Sequence, residues 1–142
     1  MAVVEGNRNP NKSLQAAVKT RSLASHTIRI CANPKVFDPA YDRFLTSKIV
    51  ETAVEIHMYV WAANCIRVDG SWQRYTERAK GQSTAKQRCN ALMSLIDLAK
   101  PLYHLPGKRA KYWMELVREA RSMIEAWSKA DYERYKDLKP NI

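Results

Sequence analysis

The three histidines of the chain, its first candidates for acid–base catalysis or metal binding, lie far apart. They are His26, His57 and His104, and no Asp or Glu recurs beside them at ligand spacing. A di-iron site in a helical bundle would require paired Glu-x-x-His motifs, which the sequence lacks. A lone histidine in a helical segment is more often structural than catalytic, and we interpret all three in this way.

Other catalytic motifs are missing from the sequence as well. It contains no GxxxxGK[ST] phosphate loop and no GxGxxG, GxSxG or HExxH motif. The acidic pairs Glu51/Glu55 and Glu115/Glu119 stand four residues apart, which also fits a solvated helix face. We therefore expect no enzymatic activity, no catalytic residue, no metal site and no cofactor. A small metalloenzyme remains a competing hypothesis, which elemental analysis would test.

The three cysteines, Cys31, Cys65 and Cys89, are odd in number, widely spaced and each placed within an apolar helical pattern. These features predict reduced thiols in the core rather than disulfides or metal ligands. The chain has no apolar run of the roughly 18 residues that a membrane-spanning helix needs, and its N-terminus has no secretory pattern. We therefore expect a cytoplasmic protein.

The elements that must position any site are predicted to be helices. Breaks at 33-NPKVFDP-39, 67-RVDG-70 and 104-HLPG-107 separate four segments of helical length, and no segment alternates polar and apolar residues as a strand would. The predicted helices span residues 12–32, 40–66, 71–103 and 107–130, within a single domain over 12–135, between a flexible extension over 1–11 and a tail over 136–142. The predicted fold is an all-α, up-down-up-down four-helix bundle.

The apolar residues of these helices predict both a core and a contact surface. One line in the third helix and one in the fourth have alternating four- and three-residue steps, which is typical of bundle packing. The lines are Ala85, Cys89, Leu92, Ile96, Ala99 and Tyr103, and Trp113, Val117, Ala120, Ile124 and Trp127. The second helix is apolar on two faces, although a small bundle needs one, so its second face is a candidate subunit interface. That face comprises Val50, Val54, Met58 and Trp61.

Positive charge is the most unusual property of the chain. Its 142 residues include 24 Lys and Arg against 14 Asp and Glu, and the net charge of +10 would attract nucleic acid first and an anionic membrane surface second. Residues 67–88 and 100–121 each have a net charge of +4, whereas residues 35–55 have −1. Since the third and fourth helices should be antiparallel neighbours, we expect their cations to form one phosphate-binding surface. The candidate nucleic-acid-binding residues are Arg67, Arg74, Arg78, Lys80, Lys86, Arg88, Lys100, Lys108, Arg109, Lys111, Arg118 and Arg121.

Aromatic residues are interleaved with this charge. Those nearest the cations are Trp72, Tyr75, Tyr103, Tyr112 and Trp113. Exposed aromatic rings beside cations are the usual means of stacking nucleic-acid bases. The spacing of Trp113 places it in the core, and for Trp72 and Tyr75 a structural role competes with base stacking.

Three runs of the sequence resemble a known family. They are 41-YDRFLTSKIVETAVEIHMYVWAAN-64, 85-AKQRCNALMSLIDLAKPLYHLPGKRAKYW-113 and 116-LVREARSMIEAW-127, with 37-FDPAYDRFL-45 at the entry to the second helix. The family is that of the accessory variability determinant (Avd) proteins of diversity-generating retroelements, and the resemblance covers about residues 12–135. A related branch, encoded within intervening sequences of ribosomal RNA genes, is the alternative.

The resemblance implies a homopentameric barrel of strongly basic four-helix bundles without catalytic activity. It also implies association with the reverse transcriptase and template RNA of the retroelement, in support of mutagenic cDNA synthesis (mutagenic retrohoming). RNA, cDNA and their hybrid all stay open as the ligand. A different hypothesis is a bundle that works through protein contacts alone, with charge serving solubility; the intervening-sequence alternative would be a general RNA-binding or protein-interaction module.

Overall fold

Four long helices make up most of the structure, a computed structural model that describes the backbone of residues 8–141 and the side chains of residues 12–141. They are α1 (Arg8–Cys31), α2 (Ser47–Cys65), α3 (Trp72–Leu102) and α4 (Gly107–Tyr135). No strand occurs within the described residues. The predicted all-α architecture with four helices is confirmed.

The helices pack in a ring, in which α1 and α3 each contact both α2 and α4. As contacts between two neighbouring helices are followed, residue numbers rise along one helix and fall along the other. Arg78 of α3 meets Asp131 of α4, whereas Lys86, farther along α3, meets Glu125, earlier in α4. Neighbouring helices are therefore antiparallel. We call the end of the bundle with residues 32–46 and 103–106 the upper end, and the end with residues 66–71 the lower end.

Both predicted core lines face the interior. Cys89, Leu92 and Ile96 of α3 and Val117 and Ile124 of α4 have no solvent exposure. Complete burial of one such aliphatic side chain contributes about 1.5–3 kcal/mol, so these lines are a main source of stability. They fix the rotation of α3 and α4, and thereby decide which of their cations reach solvent.

The second helix begins later than its pattern predicts. Instead of an α-helix from residue 40, the chain forms a 3₁₀ turn at Pro39–Tyr41 and a π-helical turn at Asp42–Thr46, and α2 starts at Ser47. The carboxylate of Asp38 accepts a hydrogen bond from the Ala40 amide (2.9 Å) and caps this entry. Phe37 is 1% exposed and closes the upper end of the core. The centre of its ring lies 4.4 Å from the centre of the Tyr103 ring.

Both termini also differ from the sequence-based bounds. Helix α1 already includes Arg8, so residues 8–11 of the predicted flexible extension are helical, and residues 1–7 lie outside the described residues. Helix α4 continues beyond residue 130 to Tyr135, because Asp131 is buried against α3. A 3₁₀ turn at Lys136–Leu138 follows within the predicted tail, whose last residue lies outside the described part.

Two connections use left-handed backbone conformations. At 68-VDGS-71, Asp69 (φ 47°) and Gly70 (φ 75°) form a tight turn closed by a hydrogen bond from the Ser71 amide to the Val68 carbonyl (2.9 Å). After α3, His104 (φ 52°) occupies a left-handed position in which glycine is the commonest residue, and the Leu105 amide donates to the Lys100 carbonyl (3.0 Å). The sequence identified both sites as helix ends.

Candidate nucleic-acid interface

The twelve predicted nucleic-acid-binding cations divide into two groups by their partners. Half of them form ion pairs: Arg67, Arg74, Arg78, Lys86, Arg88 and Lys100. The other half form no ion pair within the described residues: Lys80, Lys108, Arg109, Lys111, Arg118 and Arg121. A cation that already neutralises a carboxylate loses that contact on binding phosphate, so the second group is better suited to a polyanion.

Arg78 has a structural role, which argues against its predicted place on the nucleic-acid surface. Its guanidinium donates from Nε and Nη2 to the two carboxylate oxygens of Asp131 (2.7 and 3.2 Å) and from Nη1 to the Ile66 carbonyl (3.2 Å). It also lies 5.2 Å from the centre of the Trp127 ring. The side chains of Arg78 and Asp131 are only 12% and 4% exposed, and Gln82 Nε2 donates to Asp131 as well (2.8 Å). All five residues join α3 to α4 and the lower loop.

The cations of the lower end are held by one carboxylate. Asp69, in the turn between α2 and α3, lies 3.7 Å from the Arg67 Nε and 3.4 Å from an Nη of Arg74. Both arginine side chains remain largely exposed. Their charge is partly compensated locally, and we give them less weight as phosphate contacts than a free cation.

Fewer of the predicted cations than expected lie on a face shared by α3 and α4. Lys86 Nζ donates to Glu125 across the two helices (2.7 Å), which lowers the pKa of Glu125, and Arg121 Nε donates to the side-chain oxygen of Asn90 (3.0 Å). Arg88, in contrast, pairs with Glu55 of α2 (3.8 Å). Its position corrects the expectation that it faces α4: the helical rotation set by the buried Cys89 turns Arg88 toward α2.

The unpaired cations concentrate in the first half of α4. Lys108, Arg109, Lys111 and Arg118 occupy two of its outer faces, and all four are exposed. Lys100, at the end of α3, makes only a long exposed contact with Asp97 (3.7 Å). We call these five residues, Lys100, Lys108, Arg109, Lys111 and Arg118, the upper basic cluster.

The cations of this cluster that lie near the N-terminus of α4 do not stabilise that helix. The first turn of α4 contains no acidic residue, and its N-cap, Pro106, makes no side-chain capping bond. Cations at a helix N-terminus meet the positive end of the helix dipole, an unfavourable interaction of about 0.3–1 kcal/mol each. A stability requirement would place Asp or Glu here, so the three cations of residues 108–111 are better explained by an anionic ligand.

A shallow groove between α3 and α4 brings three members of the cluster together. Lys100, Lys111 and Arg118 line it around Met114, with Asp97 at one edge, and its volume is about 350 Å³. Lys111 and Arg118 are two turns apart, which corresponds to roughly 10 Å along the helix. They would therefore contact different phosphates of one strand.

The predicted subunit interface on α2 is exposed and extends onto α1. Met58 and Trp61 are 62% and 57% exposed, whereas Val50 and Val54 are partly buried. The neighbouring face of α1 adds three exposed apolar residues, namely Leu14 (58% exposed), Val18 (43%) and Ile28 (45%). We call these seven residues the apolar seam. The apolar residues of α1 form two stripes in the sequence, and the second stripe is the signal that could have predicted this exposed face.

His57 lies between the two helices of the seam. Its Nδ1 donates to Thr20 Oγ1 (3.0 Å), because the Thr20 hydroxyl itself donates to the carbonyl of Ala17. The centres of the His57 and Trp61 rings lie 6.2 Å apart. Burial, and then the charge of Arg21, lower the pKa of His57, so the imidazole is neutral near pH 7. The centre of the seam therefore combines a neutral imidazole with one nearby cation, Arg21.

The remaining candidates for chemistry have structural explanations. Cys31 and Cys89 are buried, and burial raises the pKa of each thiol to about 12, whereas Cys65 is exposed at the end of α2, contrary to its predicted core position. All three thiols are free. Within residues 12–141, no three His, Cys, Asp or Glu side chains converge as metal ligands would.

No described helix has the length and apolar character required to cross a membrane. Comparison with protein-family models gives no match to this chain, and neither do comparisons with curated proteins and solved structures.

Proposed function

We propose that this chain is a non-catalytic, nucleic-acid-binding four-helix bundle that contacts phosphates through the upper basic cluster. The observation that carries the proposal is the concentration of unpaired cations in the first half of α4, three of which, at residues 108–111, lie near its N-terminus and oppose the helix dipole. Elsewhere on the predicted surface, Asp69, Glu55, Glu125 and Asp131 each pair with the nearby cations.

In its specific form, the proposal is that the chain serves as the cytoplasmic accessory subunit of a diversity-generating retroelement. It would bind the reverse transcriptase and the template RNA or its cDNA, and support mutagenic cDNA synthesis as a homo-oligomer, by resemblance a pentamer. The resemblance of residues 12–135 supports this, as do the charge and the helical architecture. The apolar seam on α1 and α2 lies on the side of the bundle opposite the α3–α4 groove, so subunits could associate without covering the cluster.

The test of phosphate binding compares two triple variants of equal net charge. One is Lys108→Gln/Lys111→Gln/Arg118→Gln, and the control is Arg67→Gln/Arg74→Gln/Arg88→Gln, which removes three ion-paired cations. Anisotropy of labelled 20-nucleotide RNA is measured between 50 and 200 mM salt. Each lost phosphate contact reduces the salt slope by about 0.7, so the α4 variant should bind roughly a hundredfold more weakly near 0.1 M salt.

The control variant should lose less than about threefold in affinity, because Asp69 and Glu55 partly compensate its cations. Equal losses in the two variants would show that net charge alone attracts RNA, and RNA binding that does not depend on salt would refute the proposal. Circular dichroism should show that both variants keep the helical content of the unmodified chain, so that a loss of binding is not a loss of fold.

The reverse-transcriptase partnership has its own test. A neighbouring reverse-transcriptase gene with a template and variable repeat is expected, and the two proteins should co-purify. The α4 variant separates the modes of contact: a complex that survives the three substitutions and nuclease treatment rests on protein contacts, and one that is lost rests on bridging RNA. No complex with the neighbouring enzyme in either condition would contradict the partnership.

A further inference from the structure

The structure separates the aromatic residues near the basic surface into buried and accessible rings. Tyr75, Tyr103 and Trp113 are buried, with exposures of 6%, 7% and 1%, and they cannot stack on a ligand. Trp72 is half-buried and packs against Tyr75 (5.1 Å between ring centres). Tyr112 is 56% exposed and lies within the upper basic cluster.

Tyr112 is held in place by a contact with α1. The ring of His26 meets it edge to face, with 5.4 Å between the ring centres. Burial, and then the charge of Arg29, lower the pKa of His26, so a neutral imidazole supports the tyrosine near pH 7. Ile30 and Arg109 complete a groove of about 160 Å³ around the two rings. Because 56% of the Tyr112 side chain remains exposed, part of the ring is accessible beside this contact.

Cations lie on both sides of this ring. Arg109 shares its groove, and Lys108 and Lys111 occupy neighbouring positions on the outer face of α4. A strand that crosses α4 could therefore place phosphates on Lys111 and Arg118 while an adjacent base reaches Tyr112. A stacking ring beside a track of cations is the arrangement that binds single strands, because a base within a duplex has no free face.

We propose that the upper basic cluster binds single-stranded nucleic acid, with an unpaired base stacked on Tyr112 and supported by Arg109. His26 is a positioning residue that holds the tyrosine ring. This inference rests on the proposed function, since it specifies the form of nucleic acid that the same surface accepts.

The test uses Tyr112→Leu, Tyr112→Phe and a matched control, Tyr132→Leu. Tyr132 is an equally exposed tyrosine (53%) at the opposite end of α4. The affinities for oligo(U) and for an RNA duplex of equal length are measured over a range of salt concentrations. Loss of one stacked base corresponds to roughly a 5- to 150-fold weaker binding of the single strand by Tyr112→Leu.

The phenylalanine variant should keep most of the affinity, because stacking requires the ring and not the hydroxyl. Tyr112→Leu should leave both the salt slope and the duplex affinity unchanged, since stacking releases no counterions. Tyr132→Leu should bind both RNAs like the unmodified chain.

The outcomes separate this inference from the proposed function. If the unmodified chain binds oligo(U) with a salt slope but Tyr112→Leu binds as well as Tyr132→Leu, the stacking site is refuted and phosphate binding stands. If Tyr112→Leu weakens duplex and single strand equally, the effect is structural and the inference is overturned. If the unmodified chain binds neither RNA, the proposed function fails and this inference fails with it.

Discussion

Arg78 shows how one cation of a basic surface becomes part of the interior. It bonds both oxygens of Asp131, and neither side chain is more than 12% exposed. Removing one partner leaves the other charge buried without compensation, which costs more than the pair contributes when intact. The network therefore matters most for fixing how α3 and α4 meet at the lower end.

Asp131→Ala should lower the free energy of unfolding by about 3–5 kcal/mol, because it leaves the Arg78 guanidinium unpaired. The double variant Arg78→Met/Asp131→Leu should be clearly more stable than Asp131→Ala, since no buried charge remains. Urea denaturation followed by circular dichroism measures both. Equal losses in the two variants would mean that packing, and not charge, is what Asp131 supplies.

Residue-level roles were predictable where they depend on the position within one helix. The spacing of Cys89, Leu92 and Ile96 identified buried positions because one periodicity determines which side of a helix meets the core. The roles of Arg74 and Arg78 could not be separated in this way, since the two stand one turn apart. They differ in their partner, and Asp131 is 53 positions away from Arg78 in the sequence.

At the scale of the elements, Gly81 sets how closely α2 and α3 approach. Helix α3 is continuous through Gly81. A Cβ atom added at Gly81 would lie 3.1 Å from the Cβ of Ala63 and 3.7 Å from the Tyr59 carbonyl oxygen. Neither neighbour is the flexible end of a long side chain, so the contact between α2 and α3 is tight at this position.

Gly81→Leu should destabilise the protein by about 1–3 kcal/mol through overpacking between α2 and α3. Leucine has a higher helix propensity than glycine, so any net loss must come from packing. Ser83→Leu, at an exposed position of the same helix, is the control and should change stability by no more than about 0.5 kcal/mol. Thermal unfolding measures both variants, and a Gly81→Leu protein as stable as the control would show that the helices separate freely.

The helix ends show what sequence patterns omit at this scale. Turn residues marked the connections at 67–70 and 104–107 because Gly, Pro and Asp act locally. The entry to α2 was misplaced because Asp38 and Pro39 begin a helical segment whose first turns are 3₁₀ and π rather than α. The extension of α4 to Tyr135 depends on the burial of Asp131 against another helix, which no local signal indicates.

At the scale of the whole molecule, apolar and basic surfaces lie on different sides. The apolar seam belongs to α1 and α2, and the upper basic cluster belongs to α4 and the end of α3. A net charge of +10 opposes association of identical chains, so an oligomer requires an interface from which the cations are absent. The seven apolar residues of the seam offer such a surface except at Arg21, which lies near the central His57, and Met58 and Trp61 are the most exposed members of the seam on α2.

Trp61→Glu should therefore convert an oligomer into a monomer of 16.4 kDa, because a carboxylate would be buried in an apolar contact without a partner. Leu98→Glu is the matched control, since Leu98 is equally exposed (58%, against 57% for Trp61) but lies on α3, away from the seam. Light scattering coupled to gel filtration, in about 0.5 M salt to prevent bridging by residual nucleic acid, measures the mass. The unmodified chain and Leu98→Glu should have the same multiple of 16.4 kDa, five in a pentamer. A monomeric unmodified chain, or dissociation by Leu98→Glu alone, would exclude the seam as the interface.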